Sequence, residues 1–418
     1  MTNISLYFQV HQPYRVRRFT VFDISKSDSY FDETKNFEVF EKVAKKCYIP
    51  TTKMLIELLR KYPDFKVAFS FSGVFLDQAK SYSPELLSLF KKICTSKNVE
   101  VLDETYYHSL AFIHSKEEYK QQILLHREQI NSLFSKIPST FRNTELVYSN
   151  EIANFASELG YEAILAEGAD FVLKGDSPNK VYTNPNKTIS ILLKNYRLSD
   201  DIAFRFSDKN WKEWPLSAEK YMDWIGQAGF GSDIINLFMD YETFGEHQWE
   251  DTGIFKFFNK FIEYSNKFDH KFFTPSQSAK TFIPEKVYDV PFYLSWADTE
   301  RDLSAWIGNS MQQNALTKIY EIEGIVKKSN DKELIEKWRK LQTSDHFYYM
   351  CTKYFNDGDV HKYFSPYETP YDAFVYFMNV FSDIKCRAEE IVDKKNLVDS
   401  KIQNIAVKQT NLEILDLS

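Results

Sequence analysis

The chain has 418 residues, 43% of them hydrophobic and 27% charged, with a formal net charge of −7. That balance is ordinary for a well-cored globular protein and lacks the basic face that a nucleic-acid partner requires. No stretch approaches the roughly 18 to 20 consecutive apolar residues of a membrane span. The four cysteines, Cys47, Cys94, Cys351 and Cys386, are scattered with no CxxC pair. The expectation is neither a disulfide framework nor a zinc–thiolate site, and a reducing, cytoplasmic setting.

The N-terminal run Ile4 to Val10 is short and alternating, with no preceding basic region, so it reads as a first strand and not a signal peptide. Further strand-like runs follow at 66–72, 99–103, 140–143, 162–166, 189–194 and 234–239. Helices separate them, several with legible starts. Ser83-Pro84-Glu85 places an N-cap before a proline at the first helical position. Ser115-Lys116-Glu117-Glu118 is a capping box, opening a helix with Tyr119, Ile123, His126, Ile130 and Leu133 on one face. The helix after Ser149 stops at Gly160. Strands alternating with helices predict a parallel sheet covered by helices. Seven such units, with neither GxGxxG nor GxxxxGK[ST] anywhere, favour an incomplete α/β barrel and give no support to a nucleotide cofactor.

From about Pro291 the pattern becomes helical. Leu303, Trp306, Ile319, Ile322 and Val326 make one stripe, Leu334, Ile335, Trp338 and Leu341 a second, and Phe374, Phe377, Phe381, Ile384 and Ile391 a third. The expected organisation is a catalytic (β/α)7 barrel over 1–290, a helical domain over 291–400 packed on it and contributing to the cleft, and a tail at 401–418 without a clear period.

Barrel enzymes place their chemistry where strands end. Here the first strand ends in His11-Gln12-Pro13 and the third in Asp103-Glu104-Thr105, with His108 soon after. The fourth runs into Arg142-Asn143-Thr144-Glu145, and the seventh ends in Asp240-Tyr241-Glu242 and continues to His247. Two carboxylates on separate strand ends suit glycosidic chemistry, which needs one nucleophile and one acid held a few ångströms apart. The acid must stay protonated near neutrality, and Glu242 is the expected neighbour that perturbs Asp240. Structural readings compete. Glu145 alone would ordinarily be a salt-bridge partner, His11 a loop hydrogen bond, and a tryptophan at helical spacing a core residue.

These strings, taken together, resemble the signatures of glycoside hydrolase family 57. His11-Gln12-Pro13 resembles its first signature, and Asn98-Val99-Glu100-Val101 with His108 its second. Phe141 to Ser149 resembles the third, Phe238 to His247 the fourth, and Trp296 to Trp306 the fifth. The segment Leu341 to Tyr349 is similar to the α-amylase-like branch. Asn98 stands where the family commonly has glycine, and asparagine tolerates left-handed backbone better than most residues.

The resemblance implies a seven-stranded incomplete barrel followed by a helical bundle, and a retaining reaction without a required metal or cofactor. It implies α-1,4-glucan substrates such as starch, glycogen or maltooligosaccharides. Glu145 would be the nucleophile and Asp240 the acid/base. His11, Gln12, His108, Glu242, His247, Trp296, Asp302 and Trp306 would contact substrate, the histidines bonding sugar hydroxyls and the tryptophans stacking on rings; support of Glu242 is the other role open to His247. The same residues serve 4-α-glucanotransferase or branching activity. Two other classes compete: a catalytically silent glucan-binding protein, and a metal-dependent polysaccharide deacetylase ligated by Asp240, His247, His11 and His108. The latter lacks the close His-x-x-x-His pair such a site would use.

Overall fold

The computed structural model describes residues 2–353 and 365–415. Contacts divide the chain into two compact units. One comprises Met1–Tyr14 with Glu33–Ala305, the other Arg15–Asp32 with Trp306–Ser418. The division therefore falls at 305–306, not near 290, and a short early segment belongs with the late helices.

In the first unit all seven anticipated strands form. They are β1 (Asn3–Val10), β2 (Val67–Phe71), β3 (Val99–Val101), β4 (Thr140–Arg142), β5 (Ala163–Glu167), β7 (Ser190–Lys194) and β8 (Ile235–Asp240). Three short strands join them. β6 (Val181–Thr183) runs antiparallel to β7, β9 (Lys271–Phe272) pairs with β1, and β10 (Lys286–Val287) pairs with β6. The parallel strands β3, β2, β1 and β8 are paired in that order, and β4, β5 and β7 form a second arc.

Two thin seams join the arcs. Between β7 and β8 the only register pair is Lys194 with Asn236, reinforced where the Asn236 side chain donates to the Leu193 carbonyl at 2.9 Å. Between β3 and β4 a single bridge pairs Asp103 with Phe141, with backbone bonds of 3.0 and 2.8 Å. This is the incomplete (β/α)7 barrel expected.

Helix starts follow the cap chemistry. The Ser115 side chain accepts from the Glu118 amide ahead of Lys116–Phe134, and Ser149 does so from Ile152 ahead of Asn150–Glu158. Gly160 closes that second helix region at φ 87°, a conformation that glycine adopts without a Cβ penalty. Asn98 does not use left-handed backbone; its side chain donates to the Pro63 carbonyl at 2.6 Å.

Alternation along the strands sorts two cores. Leu6, Phe8 and Val10 of β1 and Val67, Phe69 and Phe71 of β2 pack toward the covering helices. Tyr7, Ala68, Leu102, Leu165, Leu192 and Phe238 meet inside the barrel.

In the second unit the helices Ser310–Glu321, Glu323–Ser329, Lys332–Lys340, Ser344–Tyr348 and Pro370–Leu415 bury Leu316, Ile319, Val326, Trp338, Phe377 and Ile384. The last helix runs through most of the stretch that shows no sequence period. Segment 15–32 is tied to it by side chains. Asp383, fully buried, accepts from the Tyr30 hydroxyl and the Ser25 amide. Asn379 donates to the Phe19 carbonyl at 2.9 Å, and Arg387 to that of Ser27 at 3.1 Å. Among the described residues no helix is long and apolar enough to cross a membrane.

Asp103 holds the β3–β4 seam. Its buried carboxylate takes His126 Nδ1, Arg127 Nε at 3.1 Å and the Tyr161 hydroxyl. Asp103→Ala strands those donors around a buried gap, so the barrel is expected to lose about 3–5 kcal/mol. Urea unfolding checks this, and an unchanged midpoint would show that the seam does not depend on the cluster.

Candidate active site

Carrying the strand alternation one step toward the carboxyl-terminal ends changes the inward residues from apolar to polar. Above Tyr7 comes Gln9, above Ala68 Ser70, above Leu102 Glu104, above Leu165 Glu167, above Leu192 Lys194, and above Phe238 Asp240. The register places Gln9 beside both Ser70 and Asp240, and Glu167 beside Lys194. Arg142, the last residue of β4, is fully buried, and its guanidinium lies 5.0 Å over the Trp296 ring. Charges removed from water need partners: Lys194 and Glu167 approach to 3.7 Å within this layer, whereas the buried guanidinium nitrogens of Arg142 make no hydrogen bond to the described residues.

Glu145 sits at the tip of the turn after β4 in left-handed backbone, with φ 57° followed by 49° at Leu146. A side chain in that region costs of order 1–3 kcal/mol unless its surroundings enforce it. Here they do. Asn143 Nδ2 donates to the Val147 carbonyl at 2.9 Å, its Oδ1 accepts from Tyr119, and Thr144 is bonded to Thr105 at 2.8 Å. Both carboxylate oxygens of Glu145 face an N–H group. Trp296 Nε1 donates to Oε2 at 2.9 Å, and His108 Nε2 stands 3.4 Å from Oε1. His108 itself has φ 50°. Burial opposes its charge, yet the hydrogen bonds to Glu104 and Glu145 prevail and raise its pKa to about 9. Glu104, despite burial, is held well below the usual carboxylate range by His108, with help from Arg142.

Asp240 ends β8. Burial first, and the negative charge of Glu145 second, push its carboxyl up to about 6, against the pull of Arg142, Lys194 and His108. Glu145 is thus a perturbing neighbour of Asp240 that the sequence did not point to. Glu242 is coupled to Asp240 as well: burial and then Asp240 push Glu242 up to about 8. Glu242 receives the Tyr48 hydroxyl, which in turn accepts from Gln12 Nε2 at 3.2 Å.

Behind Trp296 lies a second charged group. Lys194 Nζ is 2.9 Å from Asp200 and 3.7 Å from Glu167, while Arg301 reaches Glu167 at 4.0 Å and Asp200 at 3.7 Å. Burial outweighs both cations and pushes Glu167 up to about 7.

The structure thus gathers Glu145, Asp240, His108, His11 and Trp296, with Glu242 and Gln12 behind them. Other expectations change. Trp296 is no free platform, since its N–H is spent on Glu145 and Arg142 and Lys194 lie over its ring. Trp306 is 1% exposed in the core of the second unit, too deep to stack on a sugar. Asp302 is exposed and caps Ser304 at 2.8 Å. The His247 amide donates to the Glu242 carbonyl at 2.9 Å, and burial pushes its imidazole down to about 4. His108 has a carboxylate at each nitrogen, which leaves it no nitrogen to ligate the ion of the deacetylase reading. Among the described residues no group of three or more His, Cys, Asp or Glu is arranged to hold a metal ion. Arg142, Lys194 and Glu167 were missed, although their charge at inward strand positions was a readable signal.

Parallel strands closed into an incomplete (β/α)7 barrel, with acids massed at the carboxyl-terminal rim, define an enzyme of the barrel class. The sequence profile described as glycosyl hydrolase family 57 matches residues 5–291, and the chain belongs to that family of glycoside hydrolases. A protein of Methanocaldococcus jannaschii, provisionally named an alpha-amylase, is 40% identical over 408 residues, covering 94% of this chain and 86% of that one. Among solved structures, the branching enzyme TK1436 of Thermococcus kodakaraensis superposes with a TM-score of 0.66 at 14% identity, covering 93% of this chain and 90% of that one. The 4-alpha-glucanotransferase of Thermococcus litoralis gives 0.62 at 18% identity, over 83% of this chain and 56% of that one. At these identities the two structures speak for the fold alone.

The elevated Glu167 makes a testable demand on stability. The folded protein keeps a proton that the unfolded chain releases near 4.5, so this group's contribution falls as pH rises from 4.5 through about 7. Glu167→Gln cannot ionise, so its stability relative to wild type is expected to improve by about 2–3 kcal/mol between pH 5 and pH 8. Unfolding curves of both proteins at the two pH values check it, and a constant gap refutes it.

Proposed function

We propose that the chain is a retaining glycoside hydrolase acting on α-1,4-linked glucans, with Glu145 as nucleophile and Asp240 as general acid and base. The observation that carries this reading is electrostatic. Asp240 keeps its proton up to about pH 6 because it is withdrawn from bulk water and feels the negative charge of Glu145, which is the division of labour a two-carboxylate reaction requires. The alpha-amylase name of the Methanocaldococcus jannaschii protein supports the substrate class.

In the first step a Glu145 oxygen bonds to the anomeric carbon, the bond from that carbon to the glycosidic oxygen breaks, and Asp240 gives its proton to the departing oxygen. Oε1 is the attacking atom in this reading, since its 3.4 Å contact to His108 is the more easily surrendered, while Trp296 steadies Oε2 at 2.9 Å. In the second step Asp240, now a carboxylate, takes a proton from water as the water oxygen bonds to the anomeric carbon. Glu145 leaves, and both groups return to their starting states.

A sugar hydroxyl in place of that water makes the enzyme a transferase. The names of the 4-alpha-glucanotransferase and the branching enzyme among its structural neighbours keep that outcome in view. A glucan-binding protein without catalysis is disfavoured by the presence of both acids in one coupled group. Product analysis on maltoheptaose separates the cases. Shorter chains alone indicate hydrolysis, longer chains as well indicate transfer, and binding without products sinks the enzyme reading.

Two outcomes follow for rates. Asp240→Asn is expected to lower kcat by about 10²–10⁴-fold and to abolish the alkaline limb of kcat/KM, which in wild type falls off near pH 6. Glu145→Gln is expected to lose turnover while still binding maltoheptaose. Turnover like wild type in either variant removes that residue from the mechanism.

A further inference from the structure

We propose that Glu104, which need not touch substrate, is a positioning residue that acts through His108 to keep Glu145 ionised and aimed. The inference rests on the assignment of Glu145 above and extends it to a residue outside the set marked by sequence.

The argument begins deep in the barrel. Gln9 Oε1 lies 2.7 Å from the hydroxyls of both Tyr7 and Ser70, so it is the accepting end of that amide. The amino end must then face Glu104, and Nε2 donates to Glu104 Oε1 at 3.0 Å. The other Glu104 oxygen is 2.8 Å from His108 Nδ1. Beyond the ring, His108 Nε2 faces Glu145 Oε1 at 3.4 Å. An imidazole flanked by a carboxylate at each nitrogen can donate to both only as the cation. Glu104 and His108 are 0% and 2% exposed, so water contributes little to that choice.

The donors therefore converge on Glu104, from the Gln9 amide on one side and the His108 imidazolium on the other, and the second N–H of that imidazolium is left to face Glu145. The His11 ring stacks on His108 at 4.0 Å and 18°, fixing the plane in which its N–H groups point. Left-handed backbone at both His108 and Glu145 shows that their mutual aim is enforced against local preference.

The charged groups around His108 decide the consequence for pH. Glu104 and Glu145 face its nitrogens and His11 covers a face. Asp240 feels its positive charge, while Arg142 acts on Glu104 and Asp240. Removing the charge of Glu104 lets His108 become neutral. A neutral ring no longer favours the ionised forms of Glu145 and Asp240, so both become harder to deprotonate. The acidic and alkaline limbs of activity then move together toward higher pH. A residue with a merely structural role would lower the rate and leave the limbs in place.

The test has two independent readouts. Nitrogen-detected NMR of the full-length wild type, with His108 assigned by its absence in His108→Gln, should show the imidazolium persisting past pH 8. In Glu104→Gln the same ring should lose its proton at a distinctly lower pH than in the wild type. On maltoheptaose, Glu104→Gln should lower kcat about 10- to 100-fold, the worth of a charge-assisted hydrogen bond, with both limbs displaced to higher pH. Glu104→Asp should return the limbs toward their wild-type positions. A wild-type His108 that titrates near 6.5, or a Glu104→Gln profile lowered but not displaced, overturns the proposal. The NMR result does not depend on turnover. If Glu145→Gln stays active, the catalytic reading fails while the imidazolium measurement still stands or falls by itself.

Discussion

A parallel strand turns every second side chain inward, and the inside of a seven-stranded barrel admits little water. One inward layer is apolar and the next toward the carboxyl-terminal ends is polar or charged, so Gln9, Ser70, Glu104, Arg142, Glu167 and Lys194 share one buried layer that Asp240, partly exposed, completes. No member of such a layer can be understood alone. Burial penalises every charge, and each charge is retained only to the extent that a neighbour of opposite sign offsets the penalty. The spread of proton affinities at the rim follows from this single circumstance. Glu104 is pulled down by an imidazolium, while Asp240 and Glu167 are pushed up because the cations near them do not fully offset burial.

Backbone strain belongs to the same account. Glu145 and His108 occupy a conformation that glycine would take more readily, yet neither could be glycine and keep its side-chain function. The turns that hold them are fastened by Asn143, Thr144 and Tyr119, none of which carries chemistry. Stability is given up at the rim and recovered in the two apolar cores below it, the usual distribution in an enzyme whose site must hold unfavourable charges.

Much of the frame was legible in the residues. All seven strands could be placed within a residue or two because alternation and flanking breakers are local signals. The caps at Ser115 and Ser149 were equally local. The pairing of acids across the barrel was not, since Glu242 lies two residues from Asp240 in sequence whereas Glu145 is near only in the folded rim. Proximity in sequence showed only one of the two neighbours. The same limit hid the partners of His108 and the task of Trp296, whose indole hydrogen is committed to Glu145 by a loop that arrives 151 residues later. Trp306 followed its helical period into the core, as tryptophans at that spacing commonly do. Arg142, Lys194 and Glu167 were within reach, because extending the strand alternation by one step would have singled out charged residues at inward positions.

The membership of 15–32 in the second unit has a bearing on how the protein can be dissected. The polypeptide leaves the barrel after Tyr14, returns at Glu33 and leaves again at Ala305, so the late helices are joined to it at three points and not one. Cutting after 305 would not release a clean barrel. It would leave an eighteen-residue excursion stripped of Asp383, which accepts from its Ser25 amide and Tyr30 hydroxyl, and of Asn379 and Arg387, which donate to its carbonyls. A genuine minimal barrel requires that excursion to be replaced by a short linker between Tyr14 and Glu33 as well.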